Sequence, residues 1–384
     1  MNIAIFSDTF LPQINGVSVA IGTTARGLQR KGHKVVLFAP SPAKKIEVQG
    51  IEVVWLKSKG LPTYKEYRVV LPSRGKTVEA KLREFKAEIV LCETPFGAGW
   101  LGLKIARKLK LPAIGFYHTL LPDFLKYLPL PLLRGLGVMK SAAWAYSNSF
   151  YNKCDLIVTP SDAMKKELEA HGAKKEVMVL PNPIRREWFE AKKVKRDGRL
   201  FWFVFVGRVS YEKNLHEVID AFEIAAKKLP SLRLKIIGDG PERKKLEKMA
   251  AEKGLGERIV FTGALREKEL IEAVAACDAF VIASTIETQG MAVIEAMALG
   301  LPAVAADFLA LKEIVIEGQT GLLFEAHKVE ELAERMAELA ESREIIGVLG
   351  ANALKKAEEF SEERLLGKAE KALVSVSSGY GEKS

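Results

Sequence analysis

Short apolar runs, each closed by a turn signal, recur along the chain in two series with helical spacing between them. In the first series the runs cover residues 2–6, 34–39, 52–56, 88–92, 113–117, 156–159 and 177–180, and helical patterns lie between several of them, as at 17–31 and 100–110. Most are continuously apolar rather than alternating, which predicts strands of parallel sheets covered on both faces. The second series covers 200–206, 233–237, 258–261, 279–283, 303–305 and 322–324. Between the two lie Pro181-Asn182-Pro183 and a charged stretch from Arg185 to Arg199 that includes Lys192, Lys193, Lys195 and Arg196, which reads as a linker. The pattern predicts an α/β protein of two doubly wound, Rossmann-like domains facing across a cleft, with ligand held where they meet. The predicted division is 1–183, a linker at 184–199, a second domain at 200–360, and a closing segment at 361–384. That segment is expected to be a helix returning to the first domain, with a loose Ser- and Gly-rich tail from Val374.

One segment breaks the apolar pattern in an informative way. Residues 278–283 read as a buried strand and 291–299 as a helix with no polar face except Glu295. A buried carboxylate costs several kcal/mol unless something pairs with it, so this acid points to a partner or a ligand. Glu287 lies in the preceding loop, at the carboxyl end of the strand, where open α/β sheets bind ligands. The plainer alternative is a Ser284-x-x-Glu287 capping box, which would put Gly290 inside a helix at a cost of about 1 kcal/mol.

Other strand ends carry candidate chemistry. Gly207-Arg208 and Lys213 place two cations after a strand: an arginine fork and a lysine point charge can grip a diphosphate, although a pair of solvated loop cations would look the same. Gly238-Asp239-Gly240-Pro241 is a tight turn with proline at the first helical position. Gly16 precedes a helix whose amides can meet a phosphate, or it is simply a turn glycine. His118 is placed at a strand end, unlike the other four of the five histidines, and Glu93-Thr94-Pro95-Phe96-Gly97 follows another strand. Ser161 reads as a helix N-cap rather than a catalyst.

Composition adds limits. A chain of 384 residues suits two ordinary domains. No apolar run is long enough to span a bilayer, and residues 1–7 enter a strand directly, so neither a transmembrane helix nor a secretory leader is expected. Cys92, Cys154 and Cys277 are isolated and read as small buried hydrophobes, giving a cytoplasmic expectation. Scarce Asn and Gln beside plentiful Lys and Glu hint at a thermophilic source. Residues 1–200 hold 34 Lys+Arg against 17 Asp+Glu, and the remainder 24 against 31. So basic a first half attracts phosphate-bearing substrates or an anionic membrane face, unless it is merely a solvated surface. Nucleic acid is not expected, for want of any recognised binding motif.

Taken together, Pro12-Gln13-Ile14-Asn15-Gly16-Val17, Phe116-Tyr117-His118-Thr119, Pro160-Ser161, Leu180-Pro181-Asn182, Gly207-Arg208 with Lys213, Gly238-Asp239-Gly240-Pro241, and Glu287 with Glu295 resemble the retaining, nucleotide-sugar-dependent glycosyltransferases of family 4, which have the GT-B architecture. The resemblance implies that Glu287 contacts the donor sugar and that Gly290, Met291 and Ala292 present amides to the donor. Glu295 would hold the ribose, Arg208 and Lys213 the diphosphate, with Gly207 and Gly238 shaping the donor side. Gly16 would let the first domain approach the phosphate, and His118 would touch the transferred sugar. Arg208, Lys213, Glu287 and His118 are thereby the catalytic candidates. No Asp-x-Asp occurs, and no metal or other cofactor is expected. The segment 3–12 and the Glu-Thr-Gln-Gly donor loop further resemble transferases acting on diacylglycerol or phosphatidylinositol-type lipids; the acceptor is expected to be a lipid, sugar or polyol. Residues 124–151, with Leu128, Leu132, Leu133, Trp144, Tyr146 and Phe150 beside Arg134 and Lys140, suit peripheral contact with the inner face of an anionic membrane, or else ordinary core. Two positions depart from the family: Glu93, where many relatives carry histidine, and Phe308-Leu309-Ala310, in place of a glycine-rich turn. A nucleotide-sugar epimerase of the same architecture, a transferase with a soluble acceptor and a non-catalytic sugar-nucleotide binder are the alternatives.

Overall fold

The computed structural model describes residues 1–13, 15–44, 46–60, 68–71, 75–124, 137–191 and 198–381. The chain divides into two compact units, one made of Met1–Pro183 with Glu362–Ser384 and the other of Ile184–Ser361.

In the first unit, β1 (Asn2–Phe6), β2 (Lys34–Pro40), β3 (Glu52–Leu56), β6 (Ile89–Cys92), β7 (Ala113–Phe116), β8 (Leu156–Thr159) and β9 (Val177–Val179) form one sheet in the order β3-β2-β1-β6-β7-β8-β9. Every pairing is parallel. The runs Ile3 to Phe6 and Ile89 to Cys92 are buried throughout, as strands covered on both faces must be. A small antiparallel hairpin, β4 (Ser58–Gly60) with β5 (Arg68–Val70), was not foreseen; three-residue strands carry no periodic signal. The second unit repeats the scheme with β10 (Phe201–Val206), β11 (Leu232–Ile237), β12 (Ile259–Gly263), β13 (Ala279–Ile282), β14 (Ala303–Ala306) and β15 (Gly321–Phe324), in the order β12-β11-β10-β13-β14-β15. All of these pairs are parallel too. In each sheet the strand order reverses once, beside β1 and beside β10, and the carboxyl ends there are where such folds take ligands.

Two expectations need correction. Ile184 to Ala191 is not linker: the short helix Arg186–Glu190 packs on the helix Met291–Ala298 of the second unit, and Trp188 is 1% exposed. Its apolar anchor was hidden in a charged stretch, of which Lys192, Lys193, Lys195 and Arg196 lie outside the described residues. The second correction concerns the tail, because the closing helix Glu362–Gly381 runs through Val374. It lies on the first helix, Gly16–Arg30, where Leu366 fills the space left by the missing side chain of Gly27. Arg30 pairs with Glu362 at 2.5 Å, and Lys31 and His33 both reach Glu370, at 2.9 and 3.0 Å.

Candidate functional site

The second unit gathers most of the candidate residues at the carboxyl ends of β10, β11 and β13. After β10 the backbone of Gly207 to Val209 runs against the turn that follows β11: the Gly207 and Val209 amides donate to Ile237 O and Asp239 O, both at 3.0 Å. A Cβ on Gly238 would stand 1.8 Å from Gly207 O, and one on Gly240 2.2 Å from Val209 O. Close backbone approach alone therefore demands both glycines. The chain then makes a 3-10 turn, Tyr211–Lys213, and Asn214 takes a left-handed conformation at φ 49°. Its side-chain amide donates to Ala283 O at 2.9 Å, strapping this loop to the end of β13.

Across that strap Lys213 Nζ donates to Glu287 Oε1 at 2.5 Å, with the two side chains 19% and 16% exposed. The capping-box alternative is not realised. Ser284 Oγ donates to Glu212 O at 3.4 Å, Glu287 is held by Lys213, and the helix starts at Met291 after Gly290 at φ 78°. Its N-cap residue, Gly290, brings no side chain of its own to cap it.

Glu295 lies one turn into it. Burial pushes its carboxyl up to about 7, against the pull of the Arg185 guanidinium and the Trp188 indole. Part of Glu295 still meets solvent, which favours the charged form and tempers this rise. Arg185 is 9% exposed and ion-pairs with Glu267, and its Nε has no hydrogen-bond partner among the described residues. The indole N–H of Trp188 makes no bond of good geometry either, so its influence on Glu295 is that of a nearby dipole. Sequence reasoning missed both; their one signal was tryptophan in a stretch otherwise rich in charge.

In the first unit, Gly16 opens the helix Gly16–Arg30 behind an Asn15–Ser18 capping box, Ser18 N donating to Asn15 Oδ1 at 2.9 Å and Asn15 N to Ser18 Oγ at 3.0 Å. Two amides at that helix start are thereby already engaged. Ile14, in the same motif, lies outside the described residues. His118 Nε2 lies 2.6 Å from Glu93 Oε2, with both side chains almost fully buried. Asp8, which sequence reasoning gave no role, accepts from Thr94 Oγ1 at 2.7 Å, Ala98 N at 2.8 Å and Gly99 N at 3.4 Å. It thereby caps the helix Gly97–Leu109 from another strand, and burial holds its carboxyl above the usual range despite those bonds. Ser161 is the expected N-cap, accepting from Met164 N.

The described part of the proposed membrane segment has one buried face and one exposed, with Lys140 and Tyr146 on the exposed side. Trp144, Phe150 and Tyr151 are buried, and the Tyr146 hydroxyl donates to Pro95 O. Leu128, Leu132, Leu133 and Arg134 lie outside the described residues. In the departing turn, Leu309 takes φ 44°, the left-handed backbone that a glycine would adopt without strain. The three cysteines are free and buried, with the Cys154 thiol pushed up to about 12. Among the described residues no helix is long and apolar enough to cross a membrane.

Two family models cover nearly the whole chain: Glycosyltransferase Family 4 matches residues 14–188, and Glycosyl transferases group 1 matches 186–360. An alpha-monoglucosyldiacylglycerol synthase of Acholeplasma laidlawii is 29% identical over 92% of this chain and 92% of its own length. A GDP-mannose-dependent alpha-mannosyltransferase of Mycolicibacterium smegmatis is 30% identical over 85% of this chain and 84% of its own. Among solved structures, sucrose-phosphate synthase from Thermosynechococcus elongatus superposes with a TM-score of 0.78 at 18% identity, covering 98% of this chain and 99% of that one. Anabaena Alr3699/HepE in complex with UDP and glucose gives 0.76 at 19% identity, over 98% and 100%. These two similarities speak for the fold. The chain belongs to glycosyltransferase family 4 and is a hexosyltransferase with the GT-B fold.

Proposed function

We propose that the protein transfers a hexose from a nucleoside-diphosphate sugar to a hydroxyl of a membrane glycerolipid, with retention of anomeric configuration and without a divalent metal. The observation that carries this reading is the Lys213–Glu287 pair, held just before the helix that starts after Gly290, with Glu295 one turn further on. The helix start and Arg208 receive the diphosphate, and Glu295 takes the ribose hydroxyls. Glu287 binds the sugar hydroxyls while orienting Lys213. As the bond from the anomeric carbon to the diphosphate oxygen breaks, negative charge grows on the leaving group, and Arg208 and Lys213 stabilise it. The acceptor hydroxyl adds to the same face of the sugar and gives its proton to the departing diphosphate oxygen. In the first unit His118 meets the transferred sugar, and Gly16 leaves room for the phosphate.

A lipid acceptor is supported by the diacylglycerol-glycosylating relatives and by the excess of Lys+Arg in residues 1–200. None of the relatives named above is an epimerase. The test begins with thermal shifts in UDP, GDP and ADP and their sugars, since a ligand bound by the folded state raises apparent stability. The stabilising donor is then offered with diacylglycerol in anionic vesicles, with phosphatidylinositol, and with free sugars, each with and without chelator. Transfer to lipid that survives chelation is expected. Transfer to free sugar alone would remove the lipid reading, and complete loss with chelator would remove the metal-free one.

A further inference from the structure

The pair formed by Glu93 and His118 has no assigned purpose, and its geometry is specific. Glu93 follows β6 and His118 follows β7, adjacent parallel strands in register at Cys92 and Gly115. The Glu93 amide donates to Phe6 O at 2.9 Å, which fixes the root of its side chain on the neighbouring β1. The imidazole lies nearly parallel to the Phe116 ring, with centroids 5.8 Å apart and 16° between planes. Glu93 Oε2 then meets Nε2 at 2.6 Å, and the two side chains are 5% and 6% exposed. The other acid nearby, Asp8, is occupied by Thr94 and the 97–109 helix. A buried acid–imidazole pair gains little stability over apolar residues of the same shape, so packing does not account for it. A carboxylate can only accept, so Nε2 must carry the proton, and in the neutral ring Nδ1 is then an acceptor.

We propose that Glu93 is a positioning residue: it fixes the tautomer and the plane of His118, the residue read above as meeting the transferred sugar. This rests on the reading of His118 as a sugar contact. The chain thereby uses a buried acid to make the neighbouring histidine directional.

Nitrogen NMR of protein labelled at its histidines tests the ring without any reaction, with the His118 signals identified by their loss in His118→Asn. A proton on Nε2 in the wild type and mixed tautomers in Glu93→Ala are expected. In steady-state kinetics Glu93→Ala should lose about tenfold or more in kcat with the donor KM changed less than about twofold. Glu93→Gln, whose amide oxygen accepts the same hydrogen, should recover most of kcat. An Nε2 without its proton in the wild type, a ring unaltered by Glu93→Ala, or an undiminished kcat would each overturn the proposal. Should Glu93→Ala fail to fold, the wild-type ring and the Glu93→Gln kinetics still decide, because a glutamine variant without activity but with intact folding contradicts a role limited to accepting that hydrogen. Full activity in His118→Asn would instead remove the sugar-contact reading while leaving the Glu93-fixed ring standing.

Discussion

The helix starts nearest the candidate residues differ between the two units. In the first unit they are filled from within: Asp8 caps the helix Gly97–Leu109, Asn15 and Ser18 close Gly16–Arg30, and Ser161 caps Asp162–Ala170. In the second unit Leu215–Lys228 and Met291–Ala298 begin on left-handed residues, Asn214 and Gly290, whose own side chains give no cap. A helix start whose amides and partial positive charge are not met by the protein is matched to an outside anion. The contrast fits the proposed binding of phosphate by the second unit, while the first unit's buried acids build its own frame.

The hardest blow to that contrast is Lys213→Ala. It removes the cation strapped beside the open helix start, and kcat should fall by about 10²–10³ while the fold persists, as when one group that stabilises developing charge is deleted. Turnover within a few-fold of wild type would mean that the open helix start and Arg208 suffice. Arg208→Ala in the same assay would then show which cation carries the step.

Glu295 gives a pH signature that the first unit's edge should lack. Its folded pKa, about 7, stands above the ordinary glutamate value of 4.5, so the folded state holds the proton more tightly. Its contribution to stability is present in full below the unfolded pKa and is lost as pH rises from 4.5 through about 7. The loss is at most about 3 kcal/mol, and less because part of the residue meets solvent. Without ligand, Glu295→Gln should flatten the melting temperature across that window. An unchanged pH slope would place the carboxyl in a more polar environment. Donor affinity should run the other way and strengthen as the carboxylate ionises, provided it accepts from ribose hydroxyls.

Asp8→Ala probes the opposite edge. It leaves the Thr94 hydroxyl and the Ala98 and Gly99 amides without their acceptor, at a cost of about 1–3 kcal/mol in chemical denaturation. The isolated affinity for nucleotide should not change. A loss of nucleotide binding at intact stability would erase the division of labour between the two edges.

Much of this architecture was legible because most of the parallel strands read as apolar runs and several loops after them begin with glycine or a charge, as at Lys57, Glu93, Gly207, Gly238, Asp307 and Glu325. Glu295 stood out as the lone acid of an apolar helix, and Lys213 and Glu287 as polar residues at strand ends. Their pairing was not legible, since 74 positions separate them and only the sheet order brings β10 beside β13. Asp8 reaches a helix 90 positions away through the same kind of reordering. Trp188 was hidden by short-range charge, and the β4–β5 hairpin by its brevity. Local pattern carries the elements, whereas partners chosen by sheet order require the fold.

The smallest effect lies at helix ends, where the units also differ. Lys86 and Lys110 hold left-handed positions after two helices of the first unit, at φ 53° and 55°, while Gly32 and Gly172 hold them after two others there and Gly254 and Gly300 in the second unit, at φ 69° and 74°. A side chain there costs about 1 kcal/mol or slightly more, while a cation at a helix C-terminus returns about 0.3–1 kcal/mol. Lys110→Gly should therefore stabilise by only a few tenths of a kcal/mol, up to about 1, and more at high salt, where the charge term is screened. Gly254→Ala is the reciprocal change. Nothing lies within 4 Å of the added Cβ, so its cost of about 1 kcal/mol is conformational alone. Urea midpoints moving in opposite directions for the two variants would establish that the first unit trades backbone ease for positive charge where it ends a helix on lysine. Equal midpoints for Lys110→Gly and wild type at every ionic strength would show that the lysine brings no charge benefit to weigh against its backbone.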